Sequence, residues 1–303
     1  MKALVVGYGS IGSRHARILS ELGCEVSVVS SRRIDAWPCY DDLGKALGGT
    51  DPGYIVLANG TKDHHSALER LARLGYAGLV LVEKPLFHAL LEVPKNGFKR
   101  MFVAYNLRFH PVLQELRKLI GGESILCAST YAGQYLPEWR PGSDYRSGYS
   151  ASRASGGGVL RDLSHEIDYT LWLLGAWQAV TALGGHVSQL EIDSDDVFSL
   201  MLVTDRCPIV NIQVNYLDRS LRREMLLITD NHTFKADLAR NMLEVDGEST
   251  QFQVDRDATY RMQHLAVMDD QAGTLCSVAE GMQVLRLIES AERASRGSEW
   301  IAA

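Results

Sequence analysis

A glycine-rich turn near the amino terminus gives the clearest chemical signal in the sequence. Gly7-Tyr8-Gly9-Ser10-Ile11-Gly12 fits the pattern G-x-G-x-x-G. It follows a short apolar run at residues 3–6 and precedes a helical pattern at residues 13–22. In this order of strand, turn and helix, free N–H groups at the start of the helix bind a pyrophosphate. We therefore predict a dinucleotide site that includes Gly7, Gly9, Ser10, Ile11 and Gly12.

The end of the second predicted strand bears on which dinucleotide is bound. The strand at residues 25–29 leads into Ser30-Ser31-Arg32-Arg33. An NAD site usually has an acidic residue here, about twenty residues beyond the glycines, to hold the ribose 2′-hydroxyl. Ser31 and Arg32 can instead hydrogen-bond and neutralise a 2′-phosphate, so we expect NADP to be preferred, with NAD also accepted. The alternative is that Arg32 and Arg33 are ordinary surface arginines.

Two further predicted strands also end in polar residues. The strand at residues 54–58 leads into Asn59-Gly60-Thr61 and a helix at residues 64–74, and the strand at residues 79–82 leads into Glu83-Lys84-Pro85. Alternating strands and helices of this length predict a Rossmann fold, an α/β architecture with a doubly wound parallel sheet. Ligands collect beyond the carboxyl ends of such strands. Asn59, Gly60, Glu83 and Lys84 are therefore further candidates for cofactor binding.

The second half of the chain has a different pattern. Alternating and aromatic segments recur at residues 124–132, 180–190, 197–203, 209–216, 223–229 and 233–236. They predict a large, mainly antiparallel open sheet, with one face packed and the other solvated or paired with another subunit. We therefore expect a dinucleotide-binding domain at residues 1–108, an α+β domain for substrate binding and oligomerisation at residues 109–274, and a homo-oligomer that forms through the sheet.

A loop between the first two of these segments combines aromatic rings with arginines. Residues 133–146 include Trp139, Arg140 and Arg146. Flat rings and guanidinium groups suit a polar ring that bears a carboxylate or phosphate, which makes these three residues candidates for substrate binding. The alternative is that the aromatics fix the loop and the arginines form surface ion pairs.

Composition excludes several classes of protein. The chain has 303 residues, 46% hydrophobic and 22% charged, and a formal net charge of -6, which argues against nucleic acid as a partner. Its five cysteines are scattered without a C-x-x-C pair, so neither a disulfide framework nor a cysteine-built zinc site is expected. A leader peptide and apolar spans of membrane length are not expected either, which favours a cytoplasmic protein without a membrane partner.

With these motifs in place, the sequence resembles the glucose–fructose oxidoreductase / inositol dehydrogenase (Gfo/Idh/MocA) family. The matches are the glycine turn, residues 58–64 against the family's A-T-P-x-x-x-H, the E-K-P at residues 83–85, and Gly156-Gly157-Gly158 followed by Asp162, His165 and Asp168. Residues 105–111 look like the family's segment at the domain crossover. The resemblance adds His64 to the cofactor-binding candidates. It also implies that the last helix, residues 275–295, packs back on the first domain.

The sequence departs from the family pattern in three places. Asn59-Gly60 replaces the usual Thr-Pro, and the segment between Pro85 and the strand at residues 101–105 is short, so a helix common in the family looks abbreviated. The family often shows D-x-x-x-H, whereas Asp162 and His165 are three residues apart. On one helix, both spacings keep the two side chains on the same face.

The resemblance implies an NAD(P)-dependent oxidoreductase that acts on the hydroxyl or ketone of a sugar, sugar nucleotide or cyclitol. It favours a role in surface-carbohydrate biosynthesis. Hydride transfer needs a group that moves one proton, and an imidazole titrates near neutrality. We assign His165 as general acid/base and Lys84 as the group that polarises the substrate oxygen. Asp162 would orient or tune this pair, and Asn106 or Arg108 would help to bind the substrate.

Two other functions are alternatives to this assignment. A glycosidase that works by transient oxidation and elimination falls within the same resemblance, and so does a non-catalytic cofactor-binding sensor. His64-His65, and His165 with Asp162 and Asp168, supply the side-chain types that bind metals. We discount a metal site, because adjacent residues on a helix such as His64 and His65 point about 100° apart. His165 and Lys84 also have non-catalytic interpretations, since a lone histidine is often structural and a lone lysine is often a surface charge.

Overall fold

The computed structural model describes residues 1–140, 142–269 and 271–303, so Pro141 of the predicted substrate loop lies outside the described residues. The strands, in chain order, are β1 (Lys2–Val6), β2 (Glu25–Val29), β3 (Cys39–Tyr40), β4 (Tyr54–Leu57), β5 (Leu79–Val82), β6 (Arg100–Val103), β7 (Ile125–Gly133), β8 (Trp177–Gly185), β9 (Val197–Thr204), β10 (Val210–Asn215), β11 (Arg222–Thr229), β12 (Thr233–Asp237), β13 (Met242–Val245), β14 (Glu248–Gln251), β15 (Cys276–Ser277) and β16 (Ile301–Ala302). The helices are α1 (Ser10–Glu21), α2 (Leu43–Thr50), α3 (His64–Arg73), α4 (Pro111–Leu119), α5 (Val159–Asp162), α6 (Ser164–Leu174), α7 (Ala258–Met268) and α8 (Val278–Gly297).

Contacts divide the chain into two units. The first unit comprises Met1–Phe109 and Arg256–Met282, and the second comprises His110–Asp255 and Gln283–Ala303. Residues 256–274, which the sequence analysis assigned to the second domain, lie in the first unit, because α7 packs against α1 and β5.

The first unit is built on the predicted parallel sheet. Its strand order is β15-β6-β5-β4-β1-β2-β3, and the strands run parallel except β15, which pairs antiparallel with β6. Every residue of β4 and β5 is buried, as expected for strands covered on both faces. The predicted Rossmann fold is confirmed, and the carboxyl ends of β1, β4 and β5 lie side by side.

The second unit contains the predicted open sheet. Its strand order is β14-β13-β12-β11-β7-β10-β9-β8-β16, with antiparallel pairing except between β7 and β10. The inner face packs on α5 and α6, and the hydroxyls of Thr130 and Thr170 hydrogen-bond at 2.9 Å between β7 and α6. The large, mainly antiparallel sheet is thereby confirmed.

Several predicted boundaries were wrong. The segment predicted as a strand to residue 190 ends at Gly185, because the Asp196 carboxylate accepts the N–H groups of Val187 and Ser188 and holds a loop there. The last helix begins at Val278 instead of residue 275. Ser277 and Glu280 cap it reciprocally, with Glu280 N–H donating to Ser277 Oγ at 3.3 Å and Ser277 N–H to Glu280 Oε2 at 2.8 Å.

Other elements escaped the sequence analysis. The helix α7 and the strands β13, β14 and β16 were not predicted, since their patterns carry few regularly spaced apolar residues. Conversely, residues 86–98 form no helix, in agreement with the abbreviated segment expected there. Within the described ranges, no helix has the length and apolarity needed to cross a membrane.

Candidate functional site

The glycine turn of the first unit is held by close backbone contacts. Gly7 has a φ of +93°, and a Cβ placed there would lie 2.5 Å from the backbone nitrogen of Asn59. A Cβ on Gly12 would lie 2.1 Å from the carbonyl oxygen of Gly7. Both contacts are too short for any side chain, so only glycine allows α1 to begin directly against the ends of β1 and β4. This is the physical reason for the motif at these two positions.

The space above the turn suits an anionic diphosphate. A Cβ on Gly9 would meet nothing within 4 Å, and Gly9, the N-cap of α1, provides no side chain to satisfy the first N–H groups of the helix. The predicted ligands Ser10 and Ile11 stand in that first turn. Unsatisfied N–H groups and the helix dipole together favour an anion. The residues present therefore fit the pyrophosphate of a dinucleotide.

The first unit has two clefts at the carboxyl ends of β1 and β2. One, of about 510 Å³, lies beside the start of α1 and is lined by Tyr8, Ser10, Ser13, Arg14, Arg17, Ala36, Trp37, Arg256 and Asp257. The other, of about 480 Å³, lies beyond β2 and includes the predicted residues Ser31 and Arg32, both exposed. Arg33 is paired with Asp35 at 3.0 Å, whereas Arg32 donates its backbone N–H to Ser30. The second cleft thus brings together hydroxyl and cationic groups where the sequence predicted them.

The ends of β4 and β5 are tied together by His64. Its Nδ1 lies 3.1 Å from the Leu86 carbonyl oxygen and its Nε2 lies 3.2 Å from the Asn59 carbonyl oxygen. The ring is 1% exposed, and burial lowers the pKa of His64 below its ordinary value. The structure thus places His64 between the two loops as a structural tie. Gly60 follows Asn59 on the exposed side of its loop, and Asn59 Oδ1 is buried without a hydrogen-bond partner in the described part of the chain, so it offers a free acceptor.

Glu83 and Lys84 begin the loop after β5. The Glu83 carboxylate is buried and accepts from two sides: its Oε1 lies 2.7 Å from His15 Nε2, and its Oε2 accepts the backbone N–H of Lys84 at 3.1 Å. The Lys84 side chain is half-buried. Both carboxylate oxygens of Glu83 therefore form hydrogen bonds within the protein. The sequence did not predict that one partner would be His15 on α1.

Asn106 and Arg108 follow β6 in a 3-10 turn of the first unit. Asn106 is buried and donates to the Thr259 hydroxyl at 2.6 Å. Arg108 is 2% exposed and donates to Glu280 Oε1 at 2.7 Å. Both side chains thus hold together pieces of the first unit that are distant in sequence, a role that the prediction of substrate binding did not include.

Asp162 and His165 lie in the second unit, on different helices. The expectation of one shared helix was wrong, because Leu163 has φ -97° and ψ 31°, which ends α5 at Asp162 before α6 starts at Ser164. The Asp162 carboxylate accepts from the Tyr149 hydroxyl at Oδ1 and from the Tyr216 hydroxyl at Oδ2, the latter at 2.5 Å. Neither tyrosine was singled out from the sequence, since each is far from Asp162 along the chain.

The three glycines before α5 allow this arrangement. Gly158 has a φ of +118°, and a Cβ there would lie 2.4 Å from Asp195 Oδ1, while a Cβ on Gly157 would lie 2.1 Å from the carbonyl oxygen of Tyr149. Close packing of the glycines therefore brings the Tyr149 segment next to α5. Its consequence is the hydrogen bond from Tyr149 to Asp162.

The loop at residues 133–149 surrounds a cavity of about 250 Å³, whose lining includes Trp139 and Arg140. Trp139 Nε1 donates to the Gln134 carbonyl oxygen at 3.1 Å, and its ring meets that of Tyr216 edge to face at 5.1 Å between centroids. Arg146 pairs with Asp144 at 2.8 Å and with Glu191 at 3.1 Å, whereas Arg140 is exposed. Trp139 thus fixes the loop, and Arg140 is the arginine placed at the cavity.

The two sheets define a two-unit α/β protein whose first unit has Rossmann topology. Residues 114–235, within the second unit, match the family model of the GFO/IDH/MocA C-terminal domain. The match confirms the resemblance drawn from the sequence over this part of the second unit. The match excludes the glycine turn and Lys84, which lie in the first unit.

Solved structures share the fold over the whole chain. The WlbA dehydrogenase from Bordetella pertussis, in complex with NADH and UDP-GlcNAcA, is 20% identical, with 100% of this chain and 97% of that chain covered and a TM-score of 0.82. GenD2 from gentamicin A biosynthesis, in complex with NAD, is 20% identical, covers 100% and 96%, and has a TM-score of 0.82. Levoglucosan dehydrogenase, in complex with NADH and levoglucosan, is 16% identical, covers 100% and 99%, and has a TM-score of 0.85. No curated protein matches the sequence.

The buried tie at His64 predicts a loss of stability in acid. Because the folded protein lowers the pKa of His64 below 6.5, the unfolded chain binds more protons as the pH falls below that value. The free energy of unfolding should therefore decline between pH 6.5 and 5, by up to about 1.4 kcal/mol per pH unit for one such histidine. Denaturant titrations of wild type and His64→Gln measure this, and the variant should show the shallower decline.

His232→Gln provides a control of opposite sign. The hydrogen bond that His232 donates to the Asp246 carboxylate raises the pKa of this exposed histidine, so its contribution to stability is present below its unfolded pKa and is lost as the pH rises through the folded value. Because that contribution is complete below its unfolded pKa of about 6.5, its removal should change the slope above this pH and leave the decline between pH 6.5 and 5 nearly unchanged. An unchanged slope in His64→Gln would contradict the role assigned to the tie.

Proposed function

We propose that this protein is an NAD(P)-dependent oxidoreductase that transfers a hydride between the nicotinamide and a hydroxyl or ketone of a sugar, sugar nucleotide or cyclitol. The observation that carries the proposal is the glycine turn, whose open space and uncapped helix start fit a dinucleotide pyrophosphate. The names of three structural neighbours support it, since those proteins were crystallised with NAD or NADH, two of them together with a sugar or sugar nucleotide.

In this proposal the chain's own residues manage the oxygen and its proton. The bound nicotinamide supplies the hydride acceptor or donor. Lys84 binds the substrate oxygen through its ammonium group and stabilises negative charge that develops there. His165 takes the hydroxyl proton during oxidation and returns it during reduction, as general base and acid. Asp162 is a positioning residue, because its carboxylate accepts hydrogen bonds from the Tyr149 and Tyr216 hydroxyls and holds them beside α5.

Binding of the substrate is assigned to the loop cavity of the second unit. The exposed Arg140 side chain offers a charge-assisted hydrogen bond to a carboxylate or phosphate, and the Trp139 ring supplies an apolar face. An amino or acidic sugar, free or linked to a nucleotide, fits this chemistry. Surface-carbohydrate biosynthesis is the setting that we propose for such a substrate.

The catalytic assignment predicts a large loss of turnover in Lys84→Ala and His165→Ala. General acid–base catalysis typically contributes about a hundredfold or more, so each variant should lose at least about a hundredfold in kcat. The assay follows the absorbance of reduced nicotinamide with a panel of sugars and sugar nucleotides. Lys95→Ala and His186→Ala, which alter exposed residues of the same types, are the controls. Near-normal turnover in Lys84→Ala or His165→Ala would remove that residue from the mechanism.

We propose further that NADP binds more tightly than NAD. The exposed Arg32 and Ser31 in the cleft beyond β2 can neutralise and hydrogen-bond a 2′-phosphate. A hydrogen bond to a charged group contributes about 1.5–3 kcal/mol, so Arg32→Ala should weaken NADP binding about tenfold or more. Binding of NAD should stay within about twofold. Fluorescence titrations with the two reduced dinucleotides decide this, and equal affinity in the wild type would contradict the preference.

The outer face of the second sheet supports a homo-oligomer. Four apolar side chains are each at least 41% exposed: Leu226 and Leu126 on the neighbouring strands β11 and β7, and Met201 and Leu183 on the neighbouring strands β9 and β8. Apolar surface concentrated on one sheet face is typical of subunit contacts. Light scattering after size-exclusion chromatography should give a multiple of 33.5 kDa, and Met201→Glu should lower that mass. A wild-type monomer at micromolar concentration would refute the proposal.

A further inference from the structure

We propose that a buried hydrogen-bond chain, Tyr54–His264–His15–Glu83, is a positioning device that fixes the backbone of Lys84 in the first unit. The Tyr54 hydroxyl lies 2.8 Å from His264 Nδ1, His264 Nε2 lies 2.8 Å from His15 Nδ1, and His15 Nε2 lies 2.7 Å from Glu83 Oε1. All four residues are buried, the first three to 1% exposure or less. We refer to these four residues as the buried chain.

The buried chain joins four separate elements of the first unit. Tyr54 starts β4, His264 lies on α7, His15 lies on α1 and Glu83 follows β5. The two imidazole rings are nearly perpendicular, at 82°, with centroids 4.9 Å apart, so their nitrogens meet edge to edge. A buried polar group without a hydrogen-bond partner is costly, which explains why the four side chains satisfy one another.

The hydrogen bonds can run in one direction along the whole buried chain, from Tyr54 to Glu83. Burial lowers the pKa of His264 well below its ordinary value and raises that of Tyr54 well above its own, so the imidazole is neutral and the phenol keeps its proton. Among the described residues, the hydrogen-bond partner of the Tyr54 hydroxyl is His264 Nδ1, so we assign Tyr54 as the donor. His264 must then carry its proton on Nε2 and donate it to His15 Nδ1, and His15 must donate from Nε2 to Glu83.

This direction makes Glu83 the terminal acceptor. Its Oε1 receives the His15 N–H, and its Oε2 receives the backbone N–H of Lys84. An ionised carboxylate accepts at both oxygens, and such charge-assisted hydrogen bonds are short and strong. The orientation of the Lys84 backbone is therefore set by residues as distant in sequence as His264.

Because it concerns the position of Lys84, this inference rests on the proposed function for its effect on turnover, although the hydrogen bonding can be tested without it. His264→Leu removes the donor to His15 and the acceptor for Tyr54. His264→Gln retains an N–H donor at the same number of bonds from Cα as Nε2. Gln263→Leu is the matched control, because Gln263 precedes His264 on α7, is 0% exposed and has no hydrogen-bond partner for its amide among the described residues.

Two measurements are made on each variant. Amide hydrogen exchange of Lys84, followed by nuclear magnetic resonance of ¹⁵N-labelled protein, reports the backbone directly. Turnover and the dissociation constant of the reduced dinucleotide report the site. His264→Leu should accelerate Lys84 exchange at least tenfold and lower kcat about tenfold, with the dissociation constant within threefold of wild type. His264→Gln should recover both properties to within threefold, and Gln263→Leu should stay within twofold of wild type.

Two outcomes would overturn the proposal. The first is a Lys84 exchange rate in His264→Leu that stays within twofold of wild type. The second is that Gln263→Leu changes the Lys84 exchange rate and kcat as much as His264→Leu does, which would indicate a general disruption of the core. If His264→Leu does not fold, the isosteric Glu83→Gln takes its place, since the side-chain amide of glutamine has only one acceptor atom. Unchanged Lys84 exchange in Glu83→Gln would equally refute the proposal. If the exchange responds as stated while wild type turns over no sugar, the positioning stands and the oxidoreductase assignment fails.

Discussion

The first unit depends on the absence of side chains at Gly7 and Gly12. A Cβ at either position would come within 2.1–2.6 Å of backbone atoms, so α1 can approach β1 and β4 only because these residues are glycine. The same approach directs the uncapped start of α1 towards the open space above Gly9. It also places His15, one turn further along α1, within hydrogen-bond distance of Glu83. One steric constraint thus produces both the open space at the start of α1 and the link to the Lys84 loop.

The second unit uses glycine in a similar way for a different purpose. Gly157 and Gly158 allow the Tyr149 segment and Asp195 to pack against the start of α5. Asp162 then binds two tyrosine hydroxyls, one from a loop and one that follows β10. Burial and the neighbouring carboxylate raise the pKa of both tyrosines, so the phenols stay protonated and act as donors. The carboxylate is thereby fixed in place beside α6, which carries His165.

The sequence predicted those features whose signals are local. Parallel strands covered on both faces, the glycine turn and the alternating strands of the second sheet each have a pattern within a few residues, and the structure confirms them. The helix α7 was missed because it buries the polar residues Gln263 and His264, which blurs the apolar spacing of a helix. The break at Leu163 was missed because nothing in the residue types around it marks a helix end.

The site residues that escaped prediction are linked across long stretches of sequence. His15 and His264 are 249 residues apart, and Tyr216 and Asp162 are 54 apart. A single sequence holds no periodicity that relates such pairs, so only the fold could join them. Arg108 is an opposite case. The sequence predicted that it binds the substrate, whereas in the structure it forms an ion pair with Glu280 inside the first unit.

The proposed oxidoreductase requires a dinucleotide at the start of α1. Gly9→Ala tests it directly, because its Cβ would touch no protein atom within 4 Å and the φ of -82° suits alanine, while the methyl group would occupy the space assigned to the pyrophosphate. Gly97→Ala, also in open space, is the control. We predict that Gly9→Ala folds with unchanged thermal stability and binds the reduced dinucleotide at least about tenfold more weakly than wild type. Equal affinity in Gly9→Ala and wild type would contradict it.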